Sequence, residues 1–342
     1  MSNRAKAVLI AVAVIAVAVG AFFLLGGRDG PLGVLEPDKC PLNGDEPEGD
    51  VDAGRPAVAV KIENAPLAYP LSGLEDAEVV YEELVEGGVT RFMAIYHCTD
   101  SRKAGSVRSA RIVDPALVLP YTKLLAYSGS NKPVRDALDE VGIVQLDETR
   151  AGKGLRRVPR EGLSSEHTLY ANTQALRRTG SKDFDDPPSD DIFDFGDRRG
   201  RGKRARSISI EFSGATQVTY DFGQGRYRRS QGGEPFLTEQ GGQLAVDNVV
   251  IEVHEVRLSK QITDVTGNPS VEIADETGSG PAVLFRNGRA YEGTWERDAV
   301  GDAVRFLARS GKAMVFKPGT TWIHLVPSEQ GEVKGSFTYG AS

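Results

Sequence analysis

The chain has 342 residues, 40% hydrophobic and 26% charged, a length and composition that suit two globular domains of about 100 to 200 residues each. Its 48 acidic residues against 41 basic ones leave a net charge of −7. That balance excludes a general nucleic-acid binder, which needs a basic face to neutralise phosphates.

The first element is an uncharged run from Ala7 to Leu25, long enough as a helix to cross a hydrocarbon core of about 30 Å. Arg4 and Lys6 precede it, and positive flanks stay in the cytoplasm. The expectation is therefore a single-pass cell-membrane anchor, N-terminus inside and the bulk of the chain extracytoplasmic. A cleaved signal peptide is the competing reading, but its apolar stretch is usually shorter and no small-x-small site follows Leu25. Residues 26–55, rich in Gly, Pro, Asp and Glu, read as a flexible linker. Cys40 within that stretch and Cys98 beyond it would pair in an oxidising compartment; the alternative is two unrelated thiols.

Residues 56–181 read as a first domain of α+β or α/β class. Strands are expected at 56–63, 79–85, 89–97 and 124–128, with Gly87 and Gly88 turning a hairpin between the second and third. Helices are expected at 109–119 and 132–141, the latter framed by Asn131, Pro133 and Gly142. Residues 182–206 pass from DFDDPPSDD to DRRGRGKRAR and read as a charged, solvated linker between domains; contact of its basic part with anionic lipid or an acidic wall polymer is the alternative. Residues 207–335 hold short strands separated by Gly, Asn and Pro turns, a mostly β second domain. Asn287-Gly288 is its best hairpin signal, because a type I′ turn needs positive φ at both positions.

The densest polar signal runs from Tyr81 to Arg111. On a strand, Tyr81 and Glu83 share one face and Glu82 takes the other, so only one of the two acids is expected to line a site. Glu86, Gly87, Gly88, Thr90 and Arg91 lie at or beyond the hairpin turn, where glycines permit close backbone approach. Arg108, Ser109 and Arg111 open the expected helix, whose unpaired N–H groups favour an anion. Together they make a candidate pocket for a carboxylate or phosphate. The alternative is that Glu86 pairs with Arg91 or Arg108 and ties hairpin to helix. His167, in SSEHTLY, is a candidate general base. No serine elbow, zinc-binding H-E-x-x-H, Walker loop or dinucleotide fingerprint is present, so no catalytic motif is recognised and no metal or cofactor is expected. Trp295 and Trp322 read as core aromatics, with sugar-stacking platforms as the alternative.

The order ENAPLAYPLSGL, YEELVEGGVTR, GSVRSAR and EHTLY, followed by NVVI, GSGPAVLFRNGRAYEGTW and KPGTTWIHLVP, resembles the YerB-like lipoprotein family, a bacterial domain family of unknown function, from about Arg55 to Ser328. The resemblance implies an envelope protein of two fused domains, α/β-like then β-rich, with no established reaction and so no catalytic residues to carry over. The chain departs from the family at three places. A spanning helix replaces the lipidated cysteine, Tyr69 stands where arginine is usual, and Thr168 stands where asparagine is usual. The function expected is binding of an anionic envelope ligand, such as a cell-wall component, or scaffolding for an envelope protein. A hydrolase or transferase acting on a wall component, with Glu86 or His167 as acid or base, is the alternative.

Overall fold

Every residue of the strands Val58–Glu63, Val79–Leu84 and Thr321–Pro327 is buried. Continuous burial of this kind marks strands covered on both faces. They lie in the middle of an 11-stranded sheet, seen here in a computed structural model that describes residues 39–197, 202–264 and 267–341. The apolar run from Ala7 to Leu25 lies outside the described residues, among which no helix is long and apolar enough to cross a membrane. The sheet order begins Lys203–Arg204, Arg289–Arg297, Gly278–Arg286, Asn248–His254, Thr321–Pro327. It continues Val79–Leu84, Thr90–Tyr96, Val58–Glu63, Leu124–Ala126, Val144–Leu146, and the eleventh strand, Arg305–Ala308, pairs with Arg289–Arg297 off this path. Val58–Glu63, Val79–Leu84, Asn248–His254 and Thr321–Pro327 point the same way, so their carboxyl ends share one edge. Open sheets gather ligands at that edge.

The fold is mostly β, and the described α-helices, Asp114–Val118, Lys132–Glu140 and Thr173–Gly180, all precede residue 182. One face of the large sheet, through Val58, Val60, Ile62 and Phe92, packs on a six-stranded antiparallel sheet through Ile208, Ile210, Phe212 and Val218. The other face, through Ala59, Met93, Ile95 and Ile323, is covered by Ala116, Leu117, Val134 and Leu138 of the first two helices. Trp295 and Trp322 are core residues, each 1% exposed.

Local chemistry explains several elements. Asn131 caps Lys132–Glu140, accepting from Val134 N at 3.1 Å. Asn287 and Gly288 both adopt positive φ between Gly278–Arg286 and Arg289–Arg297, as a primed turn requires. The strands from the two sides of residues 182–206 share one sheet, with Val79–Leu84 parallel to Thr321–Pro327, and the chain from Lys39 onward is one compact unit.

Two expectations are corrected. Within 182–206, Ile192 and Phe193 are buried, Asp194–Phe195 pairs with Val315–Phe316, and Lys203–Arg204 joins the large sheet. The apolar residues between the charged runs seek the core, so this stretch is not simply a solvated linker. In the described part of 26–55, Cys40 and Leu42 are buried, Cys40 is bonded to Cys98, and Arg55 Nη1 reaches Asp100 at 3.1 Å. The covalent bridge supplies the attachment that a composition poor in large apolar residues lacks.

Candidate functional site

Strand alternation sends Lys61, Glu63 and Glu83 to the helix-covered face, and Arg91 is registered between Glu63 and Glu83 on the neighbouring strand. The segment leading to the first helix closes this carboxyl edge. Arg108 N donates to Lys61 O at 2.9 Å, Ser128 N to Arg108 O at 3.0 Å, and Ala110 N to Gly129 O at 3.0 Å. With its backbone bonded to neighbouring chain, the segment is not helical, and the helix starts only at Asp114. That carboxylate accepts from Arg111 N at 2.7 Å. Arg108, Ser109 and Arg111 therefore do not line a helix N-terminus, which corrects the expectation. Their chemistry is that of their side chains.

The inner layer is buried. Lys61, fully enclosed, is ion-paired with both Glu83 and Asp114, the latter at 2.6 Å. One cation faces two carboxylates. Burial, opposed by Lys61 and reinforced by Asp114, raises the Glu83 carboxyl above its ordinary value. Alongside, His167 Nδ1 lies 2.8 Å from Glu63 Oε2, and Ser106 Oγ donates to His167 O at 2.7 Å.

The outer layer is half-buried and cationic. Arg91 Nη1 donates to Ser109 O at 3.0 Å, and Arg111 Nη1 reaches the same oxygen at 3.5 Å. Arg111 also grips Glu86 through Nε, at 3.0 Å, and Nη2. Burial opposes the charge on Glu86, but Arg111 outweighs it and lowers that carboxyl. Arg91 forms no ion pair among the described residues, although Glu63 and Glu83 are its register neighbours. Burial first, then the charge on Arg111, pushes its guanidinium below the ordinary value; it stays a cation at neutral pH. Arg108 Nε lies 3.8 Å from Glu63 Oε2. Among the described residues, the buried oxygens Glu63 Oε1 and Glu83 Oε2 have no hydrogen-bond donor.

Glu83, Glu86, Arg91, Arg108, Ser109, Arg111 and His167 thus gather at one edge, and three other candidates lie apart. Tyr81 shares the Glu83 face but its hydroxyl meets Tyr121 at 2.9 Å. Gly88 O accepts from Ser213 Oγ at 2.6 Å and Thr216 Oγ1 at 2.8 Å, so that glycine serves the contact with the smaller sheet. Thr90 points to the opposite face, where it donates to Glu82 Oε1 at 2.7 Å. Gly87 is open on its Cβ side at positive φ, the one turn position that leaves room for another molecule. On that opposite face Glu82 also pairs with Arg229 at 3.0 Å and lies 3.0 Å from His324 Nδ1, all three fully buried.

Both acids of Tyr81-Glu82-Glu83 therefore sit in polar clusters, one on each face. Lys61, Glu63 and Asp114 were not anticipated. The available signal was a lysine two residues before a glutamate in a strand whose other residues are apolar, which must find carboxylates if it is buried. Among the described residues, no group of three or more His, Cys, Asp or Glu is placed to hold a metal ion.

The N-terminal domain of the protein family of unknown function DUF3048 matches residues 42–185, and its C-terminal domain matches residues 208–323. A Bacillus subtilis (strain 168) protein named "Putative lipoprotein YerB" is 28% identical over 299 residues, covering 84% of this chain and 86% of that protein. The crystal structure of YerB protein from Bacillus subtilis superposes with a TM-score of 0.71 at 24% identity, covering 88% of this chain and 99% of that one, a likeness of fold. With both domains matched in order, the chain belongs to the YerB-like DUF3048 family, whose function is unknown.

Proposed function

We propose that this chain is a membrane-tethered extracytoplasmic protein whose outer arginine layer holds an anionic, carboxylate-bearing component of the cell envelope. The tether is the run from Ala7 to Leu25. The lipoprotein name of the relative supports that placement, as does the Cys40–Cys98 disulfide, which persists in oxidising compartments. One observation carries the binding reading. Arg91 and Arg111 donate to a single carbonyl, Ser109 O, while Glu86 is the one carboxylate bonded to either among the described residues. Adjacent like charges are relieved by an anion, and guanidinium forks match a carboxylate.

The test is titration of the full-length chain with a soluble wall-peptide fragment. Saturable binding is expected, weakened about tenfold or more in Arg91→Ala and in Arg111→Ala, with the urea midpoint of Arg91→Ala held. Binding that ignores both substitutions overturns the reading. A hydrolase or transferase is favoured by one observation, the orientation of His167 by Glu63 as a general base requires. Product release lost in His167→Gln would establish it, and binding without turnover would reject it.

A further inference from the structure

Away from the arginine layer, a small three-stranded sheet orders Ala104–Gly105, Leu169–Ala171 and Leu155–Arg157. Register sets Arg156 and Gly105 opposite Tyr170 on its two flanks, so Arg156 is a same-face neighbour of that ring. Lys103 Nζ stands 4.6 Å over the ring, and Arg160 Nη1 donates to the Tyr170 hydroxyl at 3.2 Å. Beside them opens a cleft of about 490 Å³ whose charged lining is Arg102, Lys103, Lys153 and Arg156, with no carboxylate. Three other clefts, of about 450, 740 and 440 Å³, each carry carboxylates in their walls.

The floor is the turn Gly152-Lys153-Gly154. Gly152 takes positive φ, and Gly154 packs so closely on the third helix that an added Cβ would stand 2.6 Å from Leu176 Cδ2. The turn is thereby held in place with Lys153 at its tip. Lys103 has a partly exposed partner in Glu239. Arg102, Lys153 and Arg156 form no ion pair among the described residues, so three positive charges around one cavity are left unmatched.

We propose that this cleft binds a phosphate ester. A carboxylate brings one charge and two acceptor atoms. A phosphate group brings up to two charges and three strong acceptors, which suits several convergent cations better. The ring of Tyr170 is already covered by Lys103, so recognition rests on charge and hydrogen bonds rather than on stacking.

The experiment titrates the full-length chain with inorganic tripolyphosphate, with citrate as a carboxylate control, and with vesicles of phosphatidylglycerol or phosphatidylcholine. Tripolyphosphate should bind saturably, more weakly as salt rises, and the affinity should drop about tenfold or more in the exposed double variant K153E/R156E. Arg135→Ala, an exposed arginine outside both sites, should leave it unchanged. Retention of the phosphatidylglycerol vesicles, abolished by K153E/R156E, supports the same chemistry presented by a lipid headgroup; binding of tripolyphosphate alone supports a soluble phosphate source. The proposal is overturned if tripolyphosphate fails to bind, if K153E/R156E binds it as the parent does, or if K153E/R156E weakens citrate as much as it weakens tripolyphosphate.

Discussion

Glu82 and Glu83 are consecutive on one strand and both fully buried, yet their surroundings drive them in opposite directions. Burial raises both. On the face toward the smaller sheet, Arg229 and then His324 outweigh burial and hold Glu82 below its ordinary value. Donors from Thr90 at 2.7 Å and Asn64 at 3.1 Å complete the shell, and Arg229 lies over Phe236, Trp322 and Phe92 at 4.6, 5.4 and 5.5 Å. Its nitrogens without hydrogen-bond partners therefore face π-electrons. On the other face a single lysine serves two carboxylates, and Glu83 is raised. The first cluster is sealed and charge-matched, as a structural tie between sheets must be. The second sets one lysine between two carboxylates and is bordered by half-buried arginines.

The largest expected effect comes from opening the sealed cluster. Arg229→Ala leaves the Glu82 carboxylate buried without its main counter-charge, and loss of one partner of such a pair costs about 3 to 5 kcal/mol. Urea unfolding of the parent and variant chains measures it. A loss under about 1 kcal/mol would break the contrast, because the tie would then contribute no more than a surface pair.

A medium effect separates the two glutamates. Glu82 has a lowered folded value, so its contribution is present above the ordinary carboxylate range and is lost as pH falls through that lowered value. Glu83 has a raised folded value, so stability drops as pH rises from its ordinary 4.5 through the raised one. Glu82→Gln should therefore lower stability at neutral pH and weaken the acid-side dependence. Glu83→Gln, which resembles the protonated carboxyl, should cost little at neutral pH and flatten the decline with rising pH. Urea midpoints across that range decide it, and identical pH profiles for the two variants would contradict opposite charge preferences.

These clusters were unequally legible in the sequence. The hairpin at Gly87-Gly88, the Asn131 cap and the Asn287-Gly288 turn are short-range signals whose chemistry is complete within a few residues, and each stands where its residues are. Arg229 carried a weaker signal. It alternates with buried Tyr227, whereas Arg228 between them is exposed, so one arginine of R-Y-R-R must point inward. Nothing local names its partner, because Glu82 arrives from the other half of the chain through a parallel pairing that no short turn announces. The helix expected at 109–119 starts only at Asp114 for a similar reason. Arg108 and Ala110 donate their backbone N–H groups to distant chain, and that long-range pairing overrides a locally helical pattern.

The smallest expected effect tests the open side. Arg108 has a side chain 25% exposed, and its Nε stands 3.8 Å from Glu63 Oε2, which also lies 2.8 Å from His167 Nδ1. Coulomb attraction at that distance and exposure is largely screened, so Arg108→Ala should change unfolding stability by less than about 1 kcal/mol, and less still in high salt. The same substitution removes one cation from the outer layer, so it should weaken capture of a wall-peptide fragment more than it weakens the fold. A stability loss above about 2 kcal/mol would mean that Arg108 does for Glu63 what Arg229 does for Glu82. The carboxyl edge would then be a second internal tie between strand and loop, and the arginines there would be spoken for before any ligand arrived.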